Sequence, residues 1–234
     1  MELLKGTRVT WLGHSTVLVT TPKGTNLLID PFIQHNPKYP REFSLPESLP
    51  YVLLTHGHGD HMSDAVPVSQ KHGSSVLAIY ELANYVGKRG AEKTIGCNIG
   101  GTVQLDDVAV TMVEAKHSAG AMDDQGTHYV GIAAGLVLTI DSGPVLYHAG
   151  DTTVFSDMKL IADLYHPDLA MLPIGGHFTM GPREAALAAK FLTPQAILPL
   201  HFGTFPPLTG TPEQLAALVE PEIKVVRLEP GQSI

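Results

Sequence analysis

Thr55-His56-Gly57-His58-Gly59-Asp60-His61 is the densest histidine cluster in the chain, a His-x-His-x-Asp-His pattern that directly follows the apolar run Tyr51-Val52-Leu53-Leu54. Three imidazoles and one carboxylate within six residues suit borderline divalent cations such as zinc, manganese, iron or nickel. Gly57 and Gly59 lack a Cβ, so the backbone can turn tightly and send alternate side chains to different places. His56 and His58 can then face one ion while Asp60 and His61 face another. A histidine-rich surface loop is the plainer alternative. The position argues against it, because the cluster caps a buried strand, where layered α/β proteins carry their chemistry.

Working outward, residues 7–11, 17–20 and 26–29 read as three short strands separated by Gly13-His14 and a Pro22-Lys23-Gly24 turn. Pro31, Pro37, Pro40, Pro46 and Pro50 then oppose both helix and ladder, so the segment 32–50 is expected to be surface loop or a lid. Beyond the cluster, Ser63 could cap a helix toward Lys71, with a strand at 75–79 and a helix at 81–89. Strands are expected at 108–113, in one or two pieces over 129–140, and at 145–147, 169–172, 196–200 and 224–228. Helices are expected at 156–165, 182–192 and 212–219. The first half is richer in hairpins and the second in strand–helix units, which places the chain in the α/β class.

Three more candidate donors, His117, Asp151 and His201, also lie within a few residues of predicted strand ends. Separate strand ends bearing metal-type side chains suggest convergence on one site. Composition agrees. The 234 residues include 12 histidines, yet only 16% are charged and 44% are apolar, enough to bury a substantial core. The 15 Lys and Arg against 23 Asp and Glu leave a net charge of −8, which excludes a grip on nucleic acid or anionic lipid by bulk charge. The lone Cys97 excludes an internal disulfide framework and a cysteine-based zinc site. No apolar run reaches the ~18 residues needed to span a bilayer. Residues 1–6 lack a leader's apolar stretch and cleavage site. The expectation is one cytoplasmic domain over 1–234, acting on a small molecule, with self-association through the loop 202–212 left open.

The motifs resemble those of the metallo-β-lactamase fold. His56-x-His58-x-Asp60-His61 is similar to its signature, Leu28-Ile29-Asp30-Pro31 to its early aspartate motif, and His117, Asp151 and His201 follow in the family's order. Trp11-Leu12-Gly13-His14-Ser15 and Pro173-Ile174-Gly175-Gly176-His177-Phe178 further resemble the small prokaryotic metal-dependent hydrolases related to ascorbate-6-phosphate lactonases. The resemblance covers essentially the whole chain. It implies a four-layer αβ/βα architecture, two mixed sheets sandwiched between helices. It also implies two divalent ions, zinc foremost with manganese, iron or nickel as alternatives. His56, His58 and His117 would hold one ion and Asp60, His61 and His201 the other, with Asp151 bridging. Two such ions about 3.5–4 Å apart generate hydroxide at neutral pH, so the expected nucleophile is a metal-held hydroxide rather than a side chain. Asp60 could orient that water or pass its proton.

Around that set, Asp30 is expected to bond a ligand histidine or the amides of the metal loop. His14 and His177 are the further catalytic candidates, His177 because Gly175-Gly176 would let the backbone approach a substrate. His148 reads as a core or supporting histidine, and His35, His72 and His166 as surface residues. Ser118 lacks a Gly-x-Ser-x-Gly elbow and is set aside as a nucleophile. The leading function that the resemblance implies is hydrolysis of a lactone or other cyclic ester. A phosphodiesterase on the same ions and a non-catalytic metal sensor are the alternatives.

Overall fold

Short apolar runs with a two-residue period decide which segments become strands. The computed structural model describes residues 3–234; Met1 and Glu2, where the stretch read for a leader begins, lie outside them. β1 (Arg8–Trp11), β2 (Val17–Thr20) and β3 (Asn26–Ile29) form an antiparallel meander. β4 (Tyr51–Leu53) joins β3 in parallel, followed by α1 (Gly59–Met62), α2 (Ala65–His72), β5 (Ser75–Ile79), α3 (Tyr80–Lys88) and β6 (Lys93–Cys97). These six strands make one mixed sheet in sequential order. β7 (Thr102–Leu105) and β8 (Val108–Glu114) begin the second sheet, and β9 (Ala121–Asp123) with β10 (Gly126–His128) forms a separate hairpin. β11 (Ala134–Ile140), β12 (Val145–His148), α4 (Met158–Tyr165), β13 (Leu169–Pro173), α5 (Pro182–Leu192), β14 (Ala196–Leu200), α6 (Pro212–Ala216) and β15 (Lys224–Val225) complete the chain. The second sheet runs β15-β14-β13-β12-β11-β8-β7, parallel from β15 to β12 and antiparallel beyond.

Alternation along the second sheet sorts its side chains into two cores. Leu136, Leu138, Leu146, Leu169, Met171 and Leu198 join Val9, Leu18, Leu28, Val52 and Leu77 between the sheets. Their neighbours Val137, Tyr147, Ala170, Leu172 and Ile197 face outward onto Met158 and Ile161 of α4 and Ala185 and Leu192 of α5. β13 and β14 are buried on both faces, as parallel strands covered by helices must be. α2 and α3 cover the first sheet at β4, β5 and β6. The result is the four-layer αβ/βα fold.

Several local readings change. β6 and β7 were not legible, because β6 is an edge strand with Lys93, Thr94 and Gly96 exposed and so lacks an apolar run. Residues 129–133 are irregular, and the strand expected there starts only at Ala134. Ser63 does not cap α2. The preceding position is Asp64, whose Oδ2 instead accepts the backbone N–H groups of Ile33 and Gln34 at 2.8 and 3.2 Å. The proline-rich segment is indeed coil, yet it is packed down, with Phe32, Asn36, Tyr39 and Leu49 buried.

Candidate metal centre

Parallel strands end with their carboxyl ends side by side, and loops leaving those ends carry the chemistry. Asp30 follows β3, the His56–His61 loop follows β4, Asp151 follows β12 and His201 follows β14; His117 arrives from the end of β8. Backbone hydrogen bonds tie these exits together: Asp30 N–H donates to Leu53 O, Ala134 N–H to Thr55 O, and His201 N–H to His14 O, all at 2.9–3.0 Å. The seven expected donors therefore converge. His56, His58 and His117 bring ligand atoms within 4.8 Å of one another, and so do Asp60, His61 and His201 together with His14. Asp151 touches both groups, 3.3 Å from His61 Nε2, 3.1 Å from His201 Nε2 and 3.5 Å from His117 Nε2.

Outer hydrogen bonds fix which nitrogen each histidine presents. Asp30 is fully buried; its Oδ1 accepts Thr55 N–H at 2.8 Å, and its Oδ2 accepts Thr55 Oγ1–H at 2.7 Å and His61 Nδ1–H at 2.8 Å. Thr55 has spent its hydroxyl proton on Asp30, so its Oγ1 can only accept from His56 Nδ1, 3.0 Å away. Ser118 Oγ lies 3.3 Å from His58 Nε2 and can accept from it in the same way. When Ser118 accepts, lone pairs on His56 Nε2 and His58 Nδ1 face each other at 3.0 Å; when Ser118 donates, His58 Nδ1–H donates to His56 Nε2 instead. In the first arrangement, two lone pairs at that spacing call for a cation between them. Among the described residues His61 Nε2, His201 Nε2 and Asp151 Oδ1 are buried without an aligned hydrogen-bond partner, although ion-pair spacings link His61 Nε2 to Asp151 Oδ1 and His201 Nε2 to Asp151 Oδ2. Buried polar atoms are rarely left this way. With no thiolate present, the donors fit divalent ions that accept nitrogen and oxygen ligands.

The electrostatics agree. Burial pushes the His56, His58 and His117 imidazoles down, so they stay neutral and able to ligate. Burial opposes charge on Asp151 and Asp60 too, but Asp151 is held well below the carboxylate range by His61 and His201, and Asp60 by His14 and His201. In the metal-free chain Asp151 and Asp30 outweigh desolvation and raise His61, and Asp151 and Asp60 raise His201 to about 9. Cations brought here would replace these protons.

The remaining candidates separate. His14 is fully buried and reaches Asp60 rather than open space, with Nε2 3.1 Å from Asp60 Oδ2. Desolvation lowers it to about 4, against the pull of Asp60. His177 is exposed on left-handed backbone (φ +60°), its ring edge-on to Phe178. The cavity over the donors, about 330 Å³, is lined by His58, Asp60, His117, Ser118, Asp151, Phe178 and His201. His177, expected as a catalytic or substrate-contacting residue, is not among the lining residues, where its neighbour Phe178 stands instead, and no residue of 32–50 lines the cavity. Gly175 serves the protein rather than a substrate, since a Cβ there would overlap the carbonyl oxygen of His201. Of the metal-loop glycines only Gly57 is sterically required: its Cβ would lie 2.5 Å from Val130 Cγ2 and 2.7 Å from Ala119 O, whereas Gly59 has nothing within 4 Å. His148 supports the fold, its Nε2–H donating to Ser15 O at 3.1 Å while its Nδ1 accepts Gly150 N–H. The roles of Thr55 and Phe178 were missed. Thr55 stands at a strand end beside the first histidine, which could have marked it; Phe178 carries no such signal.

Residues 25–202 match the family described as the β-lactamase superfamily domain, a stretch that starts before Asp30 and ends after His201. UPF0173 metal-dependent hydrolases of Koribacter versatilis and Rubrobacter xylanophilus are 48% and 45% identical to this chain, over 98% and 100% of it and 98% of each relative. Among solved structures, Igni18, a metallo hydrolase from the hyperthermophilic archaeon Ignicoccus hospitalis, is 33% identical with a TM-score of 0.86 over 97% of both chains.

Proposed function

The chain belongs to the β-lactamase superfamily as a metal-dependent hydrolase, and from that premise we propose that it opens a lactone or other neutral cyclic ester. The ions would be two, zinc foremost, one at His56, His58 and His117 and one at Asp60, His61 and His201, with Asp151 between. When bound, such a pair supplies Lewis acidity to the scissile oxygen and makes water acidic enough to attack at neutral pH. Asp60, which is held ionised and lines the cavity, would orient that water and receive its proton. The exposed Ser118 hydroxyl can hydrogen-bond a substrate oxygen, and the Phe178 ring can cover an apolar ring or chain.

One observation supports the ester over the phosphodiester: among the described residues no Lys or Arg lines the cavity. Phosphate recognition characteristically recruits such cations. Lys116, the cation next to the site in sequence, lies over the Phe155 ring at 5.5 Å. The partner proposed is accordingly a small molecule. The compartment proposed is the cytoplasm, in keeping with a single free cysteine.

The test is turnover by metal-stripped and zinc-reloaded protein on chromogenic lactones, aryl esters and phosphodiesters. Expected are zinc-dependent lactone hydrolysis and a fall in kcat of about 10²–10⁴-fold in Asp60→Ala. Phosphodiester turnover at equal or higher kcat/KM would overturn the ester assignment. Metal binding without turnover on any class would favour a sensor.

A further inference from the structure

Behind Asp60 stands a buried pair of side chains outside both the seven-donor set and the stretch 25–202. His14 has its carbonyl clamped by Trp11 Nε1–H at 2.9 Å and His201 N–H at 3.0 Å, on left-handed backbone at φ +55°. Phe32, Phe205, His61 and His201 box its ring, with centroids 4.0–5.7 Å away. Its two polar contacts are Asp60 Oδ2 at 3.1 Å from Nε2 and the buried Thr204 Oγ1 at 3.0 Å from Nδ1.

His14 lies close enough to Asp60, His61 and His201 to be counted with them as a ligand, so its tautomer decides its role. With the proton on Nε2, the ring donates to Asp60 and accepts from the Thr204 hydroxyl, and all partners are satisfied. With the proton on Nδ1, the Nε2 lone pair would face the Asp60 carboxylate at 3.1 Å. Thr204 would then have to donate to Phe202 O at 3.4 Å, beyond the normal O–H···O range. We infer that Thr204 and His14 are positioning residues: the Thr204 hydroxyl holds His14 as the Nε2–H tautomer, and His14 orients the Asp60 carboxylate without ligating metal. The same Oδ2 also faces His201 Nε2, at 3.8 Å. The loop after β14 thus delivers His201 and, three residues on, the group that sets the Asp60 orientation.

The metal half of this inference rests on the two-ion reading above; the tautomer does not, and is read first. In metal-free protein with ¹⁵N-labelled histidine, long-range ¹H–¹⁵N spectra at neutral pH should show His14 protonated at Nε2, the resonance being assigned by its loss in His14→Asn. The isosteric Thr204→Val should lose that preference. In zinc competition titrations Thr204→Val should bind one ion about tenfold more weakly and the other normally, as loss of an outer hydrogen bond does. His14→Asn tolerates the left-handed backbone but is too short to reach Asp60, so one affinity should fall about 10–100-fold. His14→Gln, which can present an amide N–H near the Nε2 position, should recover most of it. An Nδ1–H tautomer in the wild type overturns the inference. So does a His14 Nε2 resonance that moves to a ligated position on zinc loading, or unchanged titrations in Thr204→Val and His14→Asn. Wild-type protein that binds fewer than two ions defeats the two-ion reading instead, with the tautomer already decided.

Discussion

Replacing Asp30 by asparagine tests the logic of the site at its most buried point. Three donors converge on this carboxylate: Thr55 N–H, Thr55 Oγ1–H and His61 Nδ1–H, at 2.7–2.8 Å. Asparagine keeps the shape and tolerates the left-handed backbone at φ +47°, but one end becomes an NH₂. If that end faces His61, two donors meet, and His61 is driven to carry its proton on Nε2, the nitrogen it would offer to metal. If it faces Thr55 N–H, a buried backbone donor loses its acceptor. Either arrangement leaves one buried group unsatisfied, at about 1–3 kcal/mol. A domain stable by roughly 5–15 kcal/mol still folds after such a loss, whereas Asp30→Ala strands all three donors and approaches the whole margin. Urea unfolding of the chelated protein should therefore show Asp30→Asn destabilised by about 1–3 kcal/mol. Zinc competition should show affinity at the His61 ion reduced about 10–100-fold. A smaller effect is expected at the other ion, because Thr55 Oγ1 also accepts from His56 Nδ1. The reasoning is refuted if Asp30→Asn stays within ~0.5 kcal/mol of wild type, the range of an ordinary surface change, and binds both ions normally.

The two metal-loop glycines should behave differently. Gly57→Ala forces apart the loop holding Ala119 and Val130 and should cost about 1–3 kcal/mol in thermal unfolding. Gly59→Ala, at the open first position of α1, should be neutral or stabilising by up to about 1 kcal/mol with metal content unchanged; equal losses at both positions would contradict this. His148 provides the pH test. Burial lowers its folded pKa below the usual 6.5, so as pH falls through 6.5 the unfolded chain takes up a proton that the folded chain refuses. Stability from this group is present above pH 6.5 and declines below it until the folded pKa is reached. The stability of wild type relative to His148→Gln should therefore shrink between pH 7.5 and 5; a constant or growing difference would refute the assignment.

How far the sequence could be read depended on the range of the information. The His56–His61 cluster was legible because its donors lie within one loop, and β12 to β14 because strands buried on both faces are written as unbroken apolar runs. His117, Asp151 and His201 were legible as strand-end residues. β6 was not, since pairing with β5 along an edge needs backbone groups and no apolar side chains. The surface loop or lid expected from five prolines is a packed-down coil with Phe32, Asn36, Tyr39 and Leu49 buried, because proline content forbids regular structure without saying where a coil lies.

The sequence by itself determined the donor chemistry, all nitrogen and oxygen, and the layered α/β class, both being properties of residue type and local period. Tertiary structure decided everything that depends on which atoms meet. It brought Asp151 between two groups of histidines, gave Asp30 three donors from one loop, and turned His14 toward Asp60 and Phe178, rather than His177, toward the cavity. The reason is physical. A histidine's tautomer is set by the partner of its second nitrogen. For His14 that partner is Thr204, 190 residues along the chain, which only the folded backbone brings within 3.0 Å.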